Sequence, residues 1–229
     1  MSKGFLEIPS DSAWTFKNAD VAEAFDDHVR EQLPWYDVVT EAVRHLILAY
    51  IPETGVLYDM GCSTGNMTYG FDALGDRNVN VYGFDNSREM IDLYQGQGEV
   101  LFCDIAYPQH EIDDALDAPN VIVFFLSLMF VPPQERTEVL YWAMKRIERG
   151  GAVIVVDKTP GVGGYLGTVL SRMAIKFKLL AGASPENILK KELSLNGIQV
   201  PIDMGKHEHF KEWFRMGEFA GYIFEKAEL

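Results

Sequence analysis

Hydrophobic and polar residues follow two kinds of pattern along this chain. Apolar residues recur at three- and four-residue steps between Asp20 and about Ala49, which predicts two helices separated at Pro34. Elsewhere, short continuous apolar runs have the length of buried strands. The predicted strands are GVLYDM (55–60), VNVYGFD (79–85), EVLFCD (99–104), NVIVFFLSL (120–128) and AVIVVD (152–157).

Segments of helical spacing lie between and after these strands. A helix is predicted from Ser87 onward with Asn86 as its N-cap, and the last two strands are predicted to turn near Gly217. Proline near the start and glycine after the end mark another helix clearly. The remaining predicted helices are NMTYGFDAL (66–74), PPQERTEVLYWAMKRIERGG (132–151), GGYLGTVLSRMAIKFKLLAG (163–182) and SPENILKKEL (184–193), and the last strand pair is EWFRMGEFAGYIFEK (212–226).

The order of these elements predicts the fold class. Strand and helix alternate through the first five strands, and continuous apolar runs are typical of parallel strands that are covered on both faces. We therefore expect a doubly wound, mostly parallel α/β sheet with N-terminal helices and a C-terminal antiparallel hairpin. A chain of 229 residues, 48% of them hydrophobic, has the size of one domain, so we expect a single domain over residues 1–229.

Charge narrows the choice of partners. The formal net charge of -14 makes nucleic acid and anionic membranes poor direct partners. Basic residues cluster in RMAIKFKLL and ILKK, which we interpret as the wet faces of helices. The opening MSKGFLEIPS lacks the apolar core of a signal peptide, and no apolar run approaches the roughly 20 residues of a membrane span. We expect a cytoplasmic protein.

Cysteine and histidine suggest no metal site. Cys62 and Cys103 are the only cysteines, and in a reducing compartment we expect free thiols rather than a disulfide. His207 and His209 would point both rings the same way on a strand, but solvated surface is the better interpretation.

A loop of small residues follows the first strand. Gly61, Cys62, Ser63 and Gly65 lie at the carboxyl edge of the predicted sheet, where open α/β folds bind ligands. Glycine lets the backbone approach a ligand, and a helix after Gly65 would offer unpaired N–H groups. The spacing is not the G-x-G-x-x-G of dinucleotide sites. Asp59, just before the loop, would repel a pyrophosphate but suits an ammonium group.

Acidic residues also end the next two strands. Asp85 is placed to accept both hydroxyls of a ribose. Asp104 is placed to accept the amino group of an adenine, with Ile105 and Met90 available to sandwich the ring. A common ligand with an amino acid group, a ribose and no phosphate is S-adenosylmethionine, which we predict to be the cofactor.

The motifs YDMGCSTGN, FDNSREM, CDI and the helix from PPQER to ERGG resemble class I S-adenosylmethionine-dependent methyltransferases. Within that family the chain is most similar to bacterial carboxy-S-adenosylmethionine synthases, which prepare a donor for wobble-uridine modification of tRNA. The similarity extends to WTF (14–16), VAEAFDDHV (21–29), LPWYDVV (33–39), FVPPQER (130–136) and the closing hairpin. It implies S-adenosylmethionine or its carboxylated form as the cofactor, and a homodimer.

The resemblance also implies roles for individual residues. Tyr36 would contact the methionine end of the cofactor, and Gly61 to Ser63 its amino acid group. Asp85 and Asn86 would hold the ribose and its polar edge, and Asp104 with its neighbour the adenine. The predicted cofactor-binding residues are Tyr36, Asp59, Gly61, Cys62, Ser63, Gly65, Asp85, Asn86, Met90, Asp104, Ile105 and Phe125.

Two positions depart from that family's pattern. Phe125 stands where the family has an Asn that faces the sulfonium. An ungapped match from Ile188 puts Glu192 where the family has the Arg that holds the extra carboxylate of the carboxylated product. Glutamate repels a carboxylate, while Lys190 and Lys191 are adjacent and can replace the Arg if the helix register shifts.

Three functions fit the sequence. The leading one is methyl transfer to a small or medium-sized acceptor, in which orientation of the reactants lowers much of the barrier. The alternatives are carboxy-S-adenosylmethionine synthesis and a non-catalytic protein that binds the cofactor. Asp157, Lys158 and Tyr165 are candidate general bases, and none is favoured. LSLMFVPP (126–133) and GVGGY (161–165) are candidate walls and lid of an acceptor site.

Overall fold

The computed structural model describes residues 15–113 and 115–227, so the predicted motif residue Trp14 lies outside the described part. Most helices and strands follow each other as the hydrophobic pattern predicts. They are α1 (Ala19–Gln32), α2 (Tyr36–Tyr50), β1 (Thr54–Met60), α3 (Asp72–Gly75), β2 (Asn78–Asp85), α4 (Arg88–Ile91), β3 (Glu99–Phe102), α5 (Pro108–Glu111), β4 (Val121–Phe125), a 3-10 turn (Leu128–Phe130), α6 (Arg136–Arg146), β5 (Ala152–Lys158), α7 (Gly164–Leu180), α8 (Pro185–Ser194), a 3-10 turn (Met204–Lys206), β6 (Lys211–Met216) and β7 (Phe219–Glu225).

The strands form one seven-stranded sheet in the order β3-β2-β1-β4-β5-β7-β6. Strands β1 to β5 pair in parallel, whereas β7 pairs antiparallel with both β5 and β6. The prediction of a mostly parallel sheet with a C-terminal antiparallel hairpin is confirmed. Because the order of the strands reverses between β1 and β4, a crevice opens at their carboxyl ends, which is where such sheets bind ligands.

The central strands are buried on both faces, which explains their continuous apolar sequence. On one face Tyr58 of β1 packs in the same cluster as Leu140 of α6. On the other face Leu57 packs in the same cluster as Val43 and Ile47 of α2. All five side chains are at most 1% exposed. A strand covered on both sides needs apolar residues at successive positions, so these runs do not alternate with polar residues.

The prediction of a helix at 66–74 is mostly wrong. The chain forms turns there and becomes helical only at Asp72, where α3 begins. Gly65 and Gly70 have φ values of 89° and 64°, which lie in the left-handed region and are incompatible with α-helix. The predicted row of helix N–H groups after Gly65 is therefore absent from this part of the chain.

The predicted cap of α4 is displaced by one residue. Ser87, not Asn86, is the N-cap, and its hydroxyl accepts a hydrogen bond from the backbone N–H of Met90 at 3.3 Å. Both residue types cap helices well, so sequence alone does not distinguish adjacent candidates. The shift leaves Asn86 at the end of β2, beside the crevice.

Candidate functional site

A cavity of about 870 Å³ opens at the carboxyl ends of the parallel strands, under α1, α7 and α8. Every predicted cofactor-binding residue except Gly65 lines it. Gly65 instead packs against the chain nearby, because a Cβ atom on it would lie 2.4 Å from the backbone nitrogen of Gly96. The fold thus brings the other predicted residues together at one cavity, whereas Gly65 allows the close packing of the loop.

Asp59 is the most unusual residue of the cavity. Its side chain is 2% exposed, and among the described residues its Oδ2 atom has no hydrogen-bond partner. Burial, and secondarily the nearby Asp85, raises the pKa of this carboxyl to about 7. A buried carboxylate without a partner is costly, and a cationic group in the cavity would relieve that cost. The arrangement fits the ammonium of an amino acid ligand.

Backbone hydrogen bonds attach the loop after β1 to strand β2. The N–H groups of Gly61 and Cys62 both donate to the carbonyl of Phe84, at 2.7 and 3.0 Å. Gly61 has a φ of 81°, and a Cβ atom on it would lie 2.5 Å from the Cβ of Ser127. Only glycine fits this position. Because these N–H groups are already used, the loop shapes the cavity more than it supplies donors.

Asp85 connects this loop to the next strand. Its Oδ2 accepts from the N–H of Ser63 and its Oδ1 from the N–H of Ser87, both at 2.9 Å. Burial raises the pKa of the Asp85 carboxyl, while these backbone hydrogen bonds oppose the rise. Each carboxylate oxygen has two lone pairs, so Asp85 can still accept hydrogen bonds from a ligand in the cavity.

The predicted adenine-binding residues lie on α4 and in the loop after β3. Asp104 follows β3 and its Oδ1 accepts from the N–H of Ala106 at 3.0 Å. Met90 is 1% exposed, and the hydroxyl of Ser63 donates to its sulfur at 3.3 Å. Ile105 and Met90 both face the same cavity, as a pair that sandwiches a ring must.

Aromatic side chains form the wall between β4 and α2. The rings of Tyr36 and Phe125 are in edge contact, with centroids 5.4 Å apart at 75°. Burial raises the pKa of the Tyr36 hydroxyl, which therefore remains neutral. Leu126 follows with a φ of 59°, an unusual backbone conformation for a residue with a branched side chain. The next hydroxyl, that of Ser127, is buried without a hydrogen-bond partner among the described residues, and sequence reasoning did not single it out.

The three candidate general bases differ in their position relative to the cavity. Asp157 is 1% exposed and accepts from the N–H groups of Met129 and Lys158, at 3.2 and 2.7 Å, so it fixes the backbone beneath the cavity. Tyr165 is 77% exposed and does not line the cavity. Lys158 does line it, and its ammonium donates to Gln199 at 3.0 Å.

The two lysines proposed to replace the family's Arg point to different places. Lys190 lies on the outer side of α8, 3.0 Å from Glu186. Lys191 lines the cavity and its Nζ contacts the Nε2 of His28. Glu192 is 2.5 Å from Lys178, so its charge is compensated by that lysine. The structure thus places Lys178 and Lys191 at this end of the cavity, where the family's Arg is missing.

Cys62 and Cys103 are both buried free thiols, as expected. Over residues 15–113 and 115–227, no group of three or more His, Cys, Asp or Glu side chains is placed to hold a metal ion. His209 instead packs edge-on against Phe224 at 6.5 Å between ring centroids. None of the described helices is both long and apolar enough to cross a membrane.

Comparison with known proteins identifies relatives. No family model matches the chain. It is 27% identical over 223 residues to a carboxy-S-adenosyl-L-methionine synthase of Staphylococcus epidermidis, covering 92% of this chain and 96% of that protein. A protein of the same name from Shewanella woodyi is 25% identical over 216 residues, covering 89% of each chain.

Solved structures share the architecture at lower sequence identity. A putative S-adenosyl-L-methionine-dependent methyltransferase from Methanococcus maripaludis superposes with a TM-score of 0.52 at 15% identity, covering 96% of this chain and 98% of that one. Human N-acetylserotonin methyltransferase superposes with a TM-score of 0.54 at 12% identity, covering 96% of this chain and 61% of that one. The chain is thus a sequence relative of carboxy-S-adenosyl-L-methionine synthases, with the Rossmann-like fold of class I methyltransferases.

Proposed function

We propose that this protein binds S-adenosylmethionine at the carboxyl ends of β1 to β3 and transfers its methyl group to a small or medium-sized acceptor. The observation that carries the proposal is the buried Asp59 carboxylate, whose Oδ2 has no partner among the described residues and which lines the same cavity as Asp85. An ammonium beside one carboxylate and ribose hydroxyls beside the other would satisfy both. The names of the sequence relatives support the same cofactor.

The chain's own residues have distinct tasks in this proposal. Asp59 holds the ammonium, Asp85 with Asn86 holds the ribose, and Tyr36 with Phe125 closes an apolar wall at the methionine end. When bound, S-adenosylmethionine supplies an electrophilic methyl group on a sulfonium that is already a good leaving group. The protein therefore needs chiefly to orient the acceptor and exclude water. The remaining proposed cofactor contacts are Gly61, Cys62, Ser63, Met90, Asp104 and Ile105.

A second candidate function is carboxy-S-adenosylmethionine synthesis, the activity named for the relatives. It requires cations for a carboxylate in the cavity. Two of the lysines that line the cavity are Lys178, which is paired with Glu192 at 2.5 Å, and Lys191, whose pKa burial lowers to about 7. A carboxylate bound beside Lys191 would favour its charged form. The product of that reaction would serve tRNA modification. The third possibility, a non-catalytic binding protein, predicts tight cofactor binding without turnover.

Mass spectrometry of the small molecules released from the purified, denatured protein tests these functions together. S-adenosylmethionine or its demethylated product supports an ordinary methyltransferase. A species heavier by one carboxylate supports the second candidate. If neither is released and neither binds in a calorimetric titration, all three functions are wrong.

We also propose that the protein is a cytoplasmic homodimer that does not bind nucleic acid directly. In support, α7 and α8 expose large apolar side chains, among them Leu166, Leu180 and Leu193 at 55%, 70% and 68%. Large apolar side chains that remain exposed on two helices in contact with each other support an interface there, and the net charge of -14 disfavours nucleic acid. Light scattering should give twice the chain mass, and Leu180→Ser with Leu193→Ser should give a monomer. A monomeric wild-type protein would contradict the proposal.

A further inference from the structure

The hydroxyl of Ser127 is a buried polar group that the protein itself leaves unpaired. Ser127 is 7% exposed and lines the cavity. Among the described residues its Oγ atom has no hydrogen-bond partner. A buried hydroxyl without a hydrogen bond costs free energy, so a ligand group that pairs with Ser127 would remove that cost.

The fold does not use this hydroxyl. Ser127 directly precedes the 3-10 turn Leu128–Phe130, and a serine before a helical turn often accepts a hydrogen bond from that turn, but Ser127 makes no such bond. Backbone hydrogen bonds fix its position instead. The N–H of Leu126 donates to the carbonyl of Val156 at 2.7 Å, and the N–H of Phe130 donates to the carbonyl of Ser127 at 3.1 Å. The side-chain oxygen is thus left to a ligand.

Ser127 lies against the loop that follows β1. A Cβ atom on Gly61 would lie 2.5 Å from the Cβ of Ser127 and 3.3 Å from its Oγ. Asp59, whose Oδ2 is likewise unpaired among the described residues, precedes Gly61 by two positions and lines the same cavity. The ammonium and the carboxylate of an amino acid are bonded to one carbon atom, so the groups that bind them must be neighbours. Asp59 and Ser127 are related in this way through Gly61.

A ligand carboxylate needs hydrogen-bond donors, and donors of the loop are already paired. The N–H groups of Gly61 and Cys62 donate to a carbonyl of β2, and the N–H of Ser63 donates to Asp85 at 2.9 Å. An ionised Asp85 can accept hydrogen bonds but cannot donate them. The hydroxyl of Ser127, by contrast, is a donor that no described residue uses.

We propose that Ser127 donates a hydrogen bond to the carboxylate of the ligand's amino acid group, while Asp59 holds the ammonium on the same carbon. The inference rests on the proposed binding of S-adenosylmethionine. It makes Ser127 a residue that determines specificity, because the site then prefers a ligand with an intact amino acid group to the same ligand without its carboxylate.

The test is isothermal titration calorimetry of the full protein with S-adenosylmethionine and with decarboxylated S-adenosylmethionine, which lacks only the carboxylate. Ser127→Ala should bind S-adenosylmethionine about 10- to 100-fold more weakly than wild type, the usual loss for a hydrogen bond to a charged group. It should bind the decarboxylated ligand as wild type does. Asp59→Asn should weaken both ligands, because both carry the ammonium.

Ser171→Ala is the matched control. It is the same substitution at an exposed position that also lines the cavity, on α7, and it should match wild type with both ligands. Ser127→Cys, which keeps the size of the side chain but is a weak donor, should show the same selective loss of S-adenosylmethionine binding as Ser127→Ala.

Thermal unfolding of the ligand-free proteins gives a second measurement. Alanine at position 127 removes no hydrogen bond between described residues, so Ser127→Ala should unfold at the same temperature as wild type or at a higher one. A clearly lower unfolding temperature would show that the hydroxyl serves the fold, and it would overturn the inference.

The binding outcomes separate this inference from the proposed function. If wild type and Ser127→Ala bind S-adenosylmethionine equally well, the inference is wrong and the proposed function stands. An equal loss of affinity for both ligands would also overturn the inference, because the hydroxyl would then not act on the carboxylate. If wild type binds neither ligand, the proposed function itself is wrong and the inference fails with it.

Discussion

Replacing Asp59 with Asn should stabilise the ligand-free protein at neutral pH while it weakens cofactor binding. The wild-type carboxylate is 2% exposed and, among the described residues, its Oδ2 accepts no hydrogen bond. Asparagine has nearly the same shape but carries no charge that burial would penalise. Asp59, whose proposed role is to bind a cation, therefore lowers the stability of the protein when the cation is absent.

The size of the effect follows from the pKa of Asp59, which is about 7 in the folded protein against an ordinary value of 3.8. Between these two values the unfolded chain has lost the proton and the folded protein still holds it. The unfolded state binds fewer protons there, so the stability of wild type falls as pH rises, and it becomes constant above about 7. At about 1.4 kcal/mol per pH unit, the loss reaches at most about 4 kcal/mol.

The assay is urea unfolding of ligand-free wild type and Asp59→Asn, because other titrating groups such as Asp157 are present in both and cancel. The free energy of unfolding of the variant should exceed that of wild type by about 2–3 kcal/mol more at about pH 8 than at about pH 5. Asp72→Asn, at an exposed position on α3, is the control and should follow wild type. A difference between Asp59→Asn and wild type that does not change with pH would refute the reasoning.

Three further substitutions test other parts of the site. Gly61→Ala should destabilise the folded protein by more than about 2 kcal/mol, because φ is 81° and the added Cβ would lie 2.5 Å from a side-chain carbon. In the control Gly163→Ala the added Cβ has nothing within 4 Å, so thermal unfolding should be nearly unchanged. Equal effects of the two substitutions would contradict the strain argument. Asp85→Ala should weaken S-adenosylmethionine binding by about 1–3 kcal/mol in calorimetry, and an unchanged affinity in the folded variant would rule out the ribose role. Arg136→Met should lower the urea midpoint strongly, because the buried guanidinium donates to three backbone carbonyls that would lose their partner; an unchanged midpoint would show that those bonds contribute nothing net.

The sheet was predictable because each central strand is a continuous apolar run that can be recognised in the sequence by itself. A strand covered on both faces must be apolar at successive positions, and β4 and Ala152 to Val156 of β5 are continuous apolar runs. The short helices were not predictable in the same way. Periodicity at 66–74 looks helical, but the left-handed glycines Gly65 and Gly70 impose turns that a count of apolar positions does not register.

The site was predictable where it depends on strand ends. Parallel strands end at one edge of the sheet, so Asp59, Asp85 and Asp104 had to lie near each other. The end of the cavity that contains Lys191 depends instead on tertiary packing. Lys191 contacts His28, 163 positions away in the sequence, and no local spacing reveals which of two adjacent lysines, Lys190 or Lys191, faces the cavity.

The central claim is that S-adenosylmethionine binds beside Asp59. Isothermal titration calorimetry of S-adenosylmethionine into wild type, Asp59→Asn and the control Asp72→Asn tests it directly. Wild type and the control should bind with equal affinity, and Asp59→Asn should bind about 10- to 100-fold more weakly, the usual loss for a hydrogen bond between charged groups. No binding to wild type, or equal affinity in Asp59→Asn, would contradict the claim.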